Sequence, residues 1–165
     1  MPFIAKIEDF YKDTTDLVIT QEQGGAWAKD PSIPHNGVDV SAGKVIDGKW
    51  VNTYKFREIV AGIRGRITRV SYHFESENAA FGNRISIAFD NKRELYIAHN
   101  DGFSPLLRCG MLIDKGPLIS RAGSTGASTD NHTHWGVRLI EPDENGKVVW
   151  LDVDDYICFD SLRRV

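Results

Sequence analysis

From Gly24 onward, glycine, asparagine, aspartate and proline interrupt the chain at short intervals, and the stretches between them are short runs of β-branched and aromatic residues. This punctuation leaves no room for long amphipathic helices and specifies short strands joined by tight turns. The clearest strand is Arg84–Phe89, where Ile85, Ile87 and Phe89 alternate with Arg84, Ser86 and Ala88, giving one buried and one exposed face at period two. Further strands are expected over Ile67–Phe74, Glu94–His99, His132–Leu139 and Lys147–Val153, the last two joined as a hairpin by Asp143-Glu144-Asn145-Gly146. Gly110–Ala127, with four glycines and Pro117, should hold short strands and turns. The fold class is therefore mainly β, an antiparallel sheet with little helix. Pro2–Tyr11 fits a short helix or a short strand, and Asp13–Asp16 reads as a break. Residues 1–20 are an N-terminal segment of uncertain role ahead of a domain over residues 21–165, the whole forming a single compact domain.

A chain of 165 residues that is 41% hydrophobic can bury one core unaided. Its formal net charge of -3 lacks the basic excess of nucleic-acid and membrane-surface binders, so neither is expected as a partner. Arg57, Arg64, Arg66 and Arg69 alternate with Ile63, Ile67 and Val70, as on the solvated face of a strand. No apolar run approaches the roughly 18 residues of a membrane-spanning helix, and no signal-peptide core is expected in the first thirty or so residues. Cys109 and Cys158 lack C-x-x-C spacing and read as plain thiols, with one disulfide left open.

The chemistry concentrates in the histidines. Of five, four fall in three compact motifs. His35-Asn36-Gly37-Val38-Asp39 sets an imidazole four positions from a carboxylate, in a segment where Pro34 and Gly37 exclude regular helix. His132-Thr133-His134 opens a strand, so its two rings share a face. Tyr96-Ile97-Ala98-His99-Asn100 sets a histidine at a strand end before a loop, a common place for a catalytic group. Two histidines, with or without an aspartate, suit zinc, and three protein ligands would leave a position open for water. A structural zinc site usually has four ligands, often cysteine, and neither cysteine belongs to these motifs. The isolated His73 reads as structural or surface. Gly123–Thr129 lacks the spacing of a phosphate-binding loop and reads as a tight turn feeding the His132 strand. Asn83 reads as a turn residue and Tyr96 as core.

These motifs, in this order, resemble those of the lysostaphin and LytM-type zinc endopeptidases that cleave peptidoglycan peptides. His35 to Asp39 is similar to that family's H-x-x-x-D, Gly82-Asn83 to its glycine-asparagine turn, and Tyr96 to His99 to its Tyr-x-His region with one extra residue. The most specific segment, Gly123-Ser124-Thr125-Gly126-Ala127-Ser128-Thr129-Asp130-Asn131-His132-Thr133-His134-Trp135-Gly136, resembles G-x-T-G-x-S-T-G-x-H-x-H-F-E, departing at Asp130, Trp135 and Gly136. The resemblance covers about Gln21 to Leu139 and makes residues 21–165 a zinc peptidase domain. It implies a β-sheet fold with an open substrate groove, Zn2+ held by His35, Asp39 and His134, and catalytic His99 and His132 beside the metal-bound water. It further implies a bacterial peptidoglycan peptide as substrate, with specificity set by segments around Asn100–Leu107 and Asp47–Phe56. Alternatives are a catalytically silent wall-binding or regulatory module of the same fold, and a zinc D-alanyl carboxypeptidase, whose motif spacing differs. Action on the cell wall without a leader suggests a phage-encoded enzyme or a domain of a longer exported protein.

Overall fold

A computed structural model of the chain describes residues 2–26, 32–72 and 80–165. Their strands are β1 (Ala5–Lys6), β2 (Leu17–Gln21), β3 (Val38–Ile46), β4 (Lys49–Asn52), β5 (Glu58–Val60), β6 (Gly65–Ser71), β7 (Asn83–Ala88), β8 (Arg93–Phe103), β9 (Leu112–Ile113), β10 (Leu118–Ala122), β11 (Thr133–Leu139), β12 (Trp150–Leu151), β13 (Ile157–Cys158) and β14 (Arg163–Arg164). Among the described residues the helical pieces are two 3-10 turns, Ile7–Phe10 and Val153–Asp155, and no helix is long and apolar enough to cross a membrane. The mainly β reading therefore holds.

One sheet joins twelve of the strands along the path β14-β2-β3-β11-β8-β7-β6-β9, with β4 on β3, β12 on β11, and β10 between β8 and β5. Its pairings are antiparallel except for β14 with β2, and a separate small pair, β1 with β13, is also parallel. Period-two alternation divides the central strands into two faces. Val38, Val40, Ile85, Ile87, Leu95, Ile97, Trp135 and Val137 are buried in the core, whereas Asp39, Ser41, Arg84, Glu94, Tyr96 and His134 project to the opposite face.

The N-terminal segment packs into the same core. Ile7 and Phe10 are fully buried, the Phe10 ring lies 4.8 Å from that of Trp135, and β2 pairs with β3. Burying a side chain such as Phe10 contributes roughly 1.5–3 kcal/mol, and here it backs the strand that carries His134. The expected break at Asp13–Asp16 is a turn in which the Asp13 carboxylate accepts from Thr15 N at 2.9 Å and Asp16 takes φ 57°.

The sequence expectations differ from the structure at strand ends. β6 stops at Ser71, and residues 73–79, with His73 and Phe74, lie outside the described residues. The strand expected over Lys147–Val153 shortens to Trp150–Leu151, which pairs with Val137 and Arg138 to make the anticipated hairpin. Its turn is closed by Gly146 N donating to Asp143 O at 2.9 Å. β8 runs past His99 to Phe103, because buried Asn100 donates its amide to the Asn83 and Ile97 carbonyls at 2.9 and 2.8 Å and holds the chain in the sheet. Asn83 is accordingly a buried strand residue, not a turn residue, and its amide donates to Asp101 O at 3.0 Å. Cys109 and Cys158 are both free thiols.

Candidate metal centre

Asp39 and His134 are direct cross-strand partners on β3 and β11, so both side chains leave the sheet on the polar face at the same level. His35 reaches them from the segment that enters β3. Its backbone N–H donates to Gly25 O at 2.7 Å and its carbonyl accepts from Gly24 N at 2.8 Å. The His35 Nδ1–H donates to Glu22 O at 3.2 Å, which leaves the Nε2 lone pair turned inward.

Three donor atoms then meet. His35 Nε2 is 3.2 Å from His134 Nδ1, and Asp39 Oδ1 lies 3.3 Å from the first and 3.1 Å from the second. A tetrahedral site with bonds of about 2.0–2.1 Å has donor-to-donor edges of about 3.3 Å, so this near-equilateral triangle has the size of one face of a zinc coordination shell. The geometry requires Gly37, because a Cβ there would lie 2.2 Å from the Trp135 carbonyl oxygen and 2.7 Å from the His134 ring. His35, Asp39 and His134 form a buried group that could hold a metal ion, and two nitrogens with one carboxylate oxygen suit zinc.

The charges interlock. Burial would raise the Asp39 carboxyl, but its close contacts with the His134 and His35 rings and the nearby imidazoles hold it well below the usual carboxylate range. Burial pushes His134 down against the pull of Asp39. For His35 burial acts in the same sense, but the hydrogen bond and charge of Asp39 leave it raised overall. The carboxylate is thus ionised and available as a ligand.

His99 and His132 face this triangle, their rings 4.7 Å apart. In β8 three residue steps, from Ile97 to Asn100, oppose two in β7, from Ile85 to Asn83, so β8 carries a bulge. His99 sits in it with φ 64°, and the bulge turns its ring toward the cavity. The His99 Nδ1–H donates to Thr125 O at 2.7 Å. Burial, reinforced by His132 and His134, pushes the His99 pKa down to about 3, so the ring stays neutral with Nε2 an acceptor. His132 lies just before β11, where its Nδ1–H donates to Asp130 O at 2.9 Å and its Nε2 is 3.6 Å from Asp39 Oδ2. All five site residues expected from the sequence line one cavity of about 200 Å³, together with Phe81.

Several supports carry no sequence signal of their own. Thr125, in the loop read only as a turn, holds His99 through its carbonyl. Its hydroxyl donates to Asn100 O at 2.7 Å and accepts from Asn83 N at 3.0 Å. That loop lies tight on Gly82, where a Cβ would come within 2.4 Å of Thr125 backbone atoms and φ is 64°. Tyr96, expected in the core, is fully buried but on the opposite face of the sheet, its ring 5.5 Å from that of Phe81 and 5.0 Å from that of Trp150. Of the two segments expected to set specificity, Asp47–Phe56 supplies Trp50 and Asn52 to an adjoining cavity, whereas Asn100–Leu107 lines neither cavity.

Solved structures give the class of protein first. The chain is similar to the catalytic domain of lysostaphin from Staphylococcus simulans, at 18% identity and TM-score 0.63 over 83% of this chain and 89% of that one. It is similar to LytU at 21% identity and TM-score 0.61, over 88% of each chain. A zinc-containing peptidase from Vibrio cholerae matches at 22% identity and TM-score 0.58 over 86% of this chain, which spans 38% of that larger protein. Such identities establish a shared fold, that of the lysostaphin-like peptidases. The family model of peptidase family M23 matches residues 34–150, and the chain belongs to that family. No curated protein sequence matches it.

Proposed function

We propose that this chain is a zinc-dependent endopeptidase that hydrolyses peptide cross-links of bacterial peptidoglycan, with His35, Asp39 and His134 as metal ligands and His99 and His132 as catalytic residues. The observation that carries the reading is the buried donor triangle with edges of 3.1–3.3 Å facing two further imidazoles. Membership of peptidase family M23 and the lysostaphin-like fold support the substrate class.

The chemistry a zinc ion supplies when bound is Lewis acidity toward water and a peptide carbonyl. His35, Asp39 and His134 would hold it, and their burial excludes bulk water from three sides. His99, neutral because its pKa lies near 3, accepts a hydrogen bond at Nε2 and orients the attacking water. His132 is the more accessible of the two, with 16% of its side chain exposed. Its Nε2 takes the water's proton and later delivers it to the leaving amine, with the Asp39 carboxylate beside it as counter-charge.

The test is release of new amino groups from purified peptidoglycan by the zinc-loaded protein, beside the chelated protein and a His132→Ala variant. The reading expects release by the loaded native chain alone, with the new termini identifying the bond. Free terminal D-alanine in place of internal amines would instead indicate a carboxypeptidase. No turnover on several wall types, despite one zinc bound per chain, would indicate a silent wall-binding module.

A further inference from the structure

Next to the candidate metal centre, and sharing His132 and Asp39 with it, lies a second cavity of about 260 Å³, lined also by Trp50, Asn52, Asp130 and Asn131, with no lysine or arginine among the lining residues. Its rim is rigid. The Asp130 carbonyl is held by Ser124 Oγ at 3.0 Å, Ser128 Oγ at 2.8 Å and the His132 Nδ1–H at 2.9 Å. The Asn131 carbonyl accepts from Ser41 Oγ at 2.7 Å and Asn52 Nδ2 at 3.0 Å. Five donors thus fix both carbonyls, and the side chains of Asp130 and Asn131 are carried on that frame at the cavity's lining.

The Asp130 carboxylate is itself oriented, because its Oδ1 accepts from Asn131 N at 2.8 Å. The second oxygen of that carboxylate forms no hydrogen bond with the described residues. Asp130 does not have a positive φ, so nothing in the backbone calls for glycine at this point, and a carboxylate stands where the resembled motif carries none. Across the cavity the Trp50 indole, packed over Gly43, offers an aromatic wall. A fixed carboxylate, an indole face and no competing cation make a pocket for a positively charged group.

We propose that this cavity is a substrate subsite for a primary ammonium group, and that Asp130 is the residue that selects it. The proposal rests on the peptidase reading above and deepens it, by naming the chemistry of a substrate residue near the scissile bond. The ammonium donates to the free Asp130 oxygen and lies against the Trp50 ring, while the neighbouring peptide bond extends past His132 into the metal-bearing cavity.

Soluble cross-linked muropeptides bearing free amines provide the test, used native and after acetylation of those amines. For the zinc-loaded native chain, kcat/KM on the amine form should exceed that on the acetylated form by about five-fold. The excess should shrink with added salt. Asp130→Asn keeps the acceptor for Asn131 N–H and should bring the ratio to about one, and Asp130→Lys should invert it. Calorimetric titration of the metal-free chain with the same two muropeptide pools gives a second readout, in which the native chain binds the amine form more tightly and Asp130→Asn does not. Equal kcat/KM on both forms by the native chain, or a preference that Asp130→Asn retains, would overturn the proposal while leaving the peptidase reading intact. Failure to cut either form would remove the peptidase reading and the proposal with it.

Discussion

The trio His35, Asp39 and His134 and the pair His99 and His132 face one another across a single cavity, yet their polar atoms are arranged differently. The trio sits on or beside paired strands, and its polar atoms point at each other with edges of 3.1–3.3 Å. With the His35 Nδ1–H donated to Glu22 O, His35 turns its Nε2 toward the other two groups. Three convergent donor atoms of this kind could share one cation. The pair sits on a bulge and a loop, and each Nδ1–H is already donated to a backbone carbonyl. It is complete without any cation and presents Nε2 acceptors to the cavity. The backbone engages Nδ1 of His35, His99 and His132 alike, so the division lies in convergence: the trio's donor atoms meet at one point that could hold a metal ion, whereas the pair's Nε2 atoms face the cavity.

The largest expected effects test that division directly. His134→Ala should lower bound zinc from one per chain to none, measured by elemental analysis after dialysis, and abolish turnover. His99→Ala should keep its zinc while losing about 10²–10⁴-fold in turnover. Loss of zinc from His99→Ala as well would merge the two groups into one and break the comparison.

Gly37 tests whether the trio's spacing is imposed by the backbone. The methyl of Gly37→Ala would meet the Trp135 carbonyl and the His134 ring at 2.2 and 2.7 Å, and both belong to a fully paired strand. The expected cost is about 3 kcal/mol in chemical denaturation, together with weakened zinc binding. Full stability and full zinc binding in that variant would mean that β3 and β11 can separate freely, contrary to a preformed site. A somewhat smaller effect follows from the metal itself. If the trio is completed only by a cation, zinc at about a hundred times its Kd should stabilise the native chain by about 2.7 kcal/mol. The gain should reverse with chelator and be absent in His134→Ala.

How much of this was legible in the sequence depends on the range of the interaction concerned. His35, Asp39, His132 and His134 declare themselves through spacings of two and four residues, and alternation alone sets Asp39 and His134 on the polar faces of their strands. Their meeting depends on β3 pairing with β11, a contact spanning 95 positions, which no local pattern encodes. The long first half of the sheet was harder to read. In β3 polar and apolar residues are both buried over Val38–Gly43, so exposure does not alternate there. β2, at Leu17–Gln21, falls where no element is expected from the sequence. The bulge at His99 is invisible because it arises from a register mismatch between β7 and β8. The role of Thr125 is equally hidden, since a backbone carbonyl carries no residue signature. Asn83 was misread because asparagine after glycine suits a turn, whereas here its side chain is used inside the sheet to tie down the far end of β8.

A carboxylate without imidazole partners sharpens the comparison from the other side, with the smallest effect. Asp154 lies beside Asp152 and Glu22, and partial burial followed by the charge of Asp152 pushes its pKa up from the ordinary 3.8 to about 6, the reverse of Asp39. Between those two values the folded chain keeps a proton that the unfolded chain has released, so the ionised group opposes folding increasingly as pH rises, and fully above about 6. Asp154→Asn should therefore stabilise the protein at pH values above 6 and give no gain below 3.8. Asp154 is exposed, so solvent screening limits the effect to a few tenths of a kcal/mol, read as the difference in denaturation midpoint between the two pH ranges. A gain of the same size at both extremes would place its origin in packing and leave the contrast with Asp39 unsupported. A gain confined to the higher range would support a common rule for both carboxylates, that the charge each carries is set by whether imidazoles or other acids surround it.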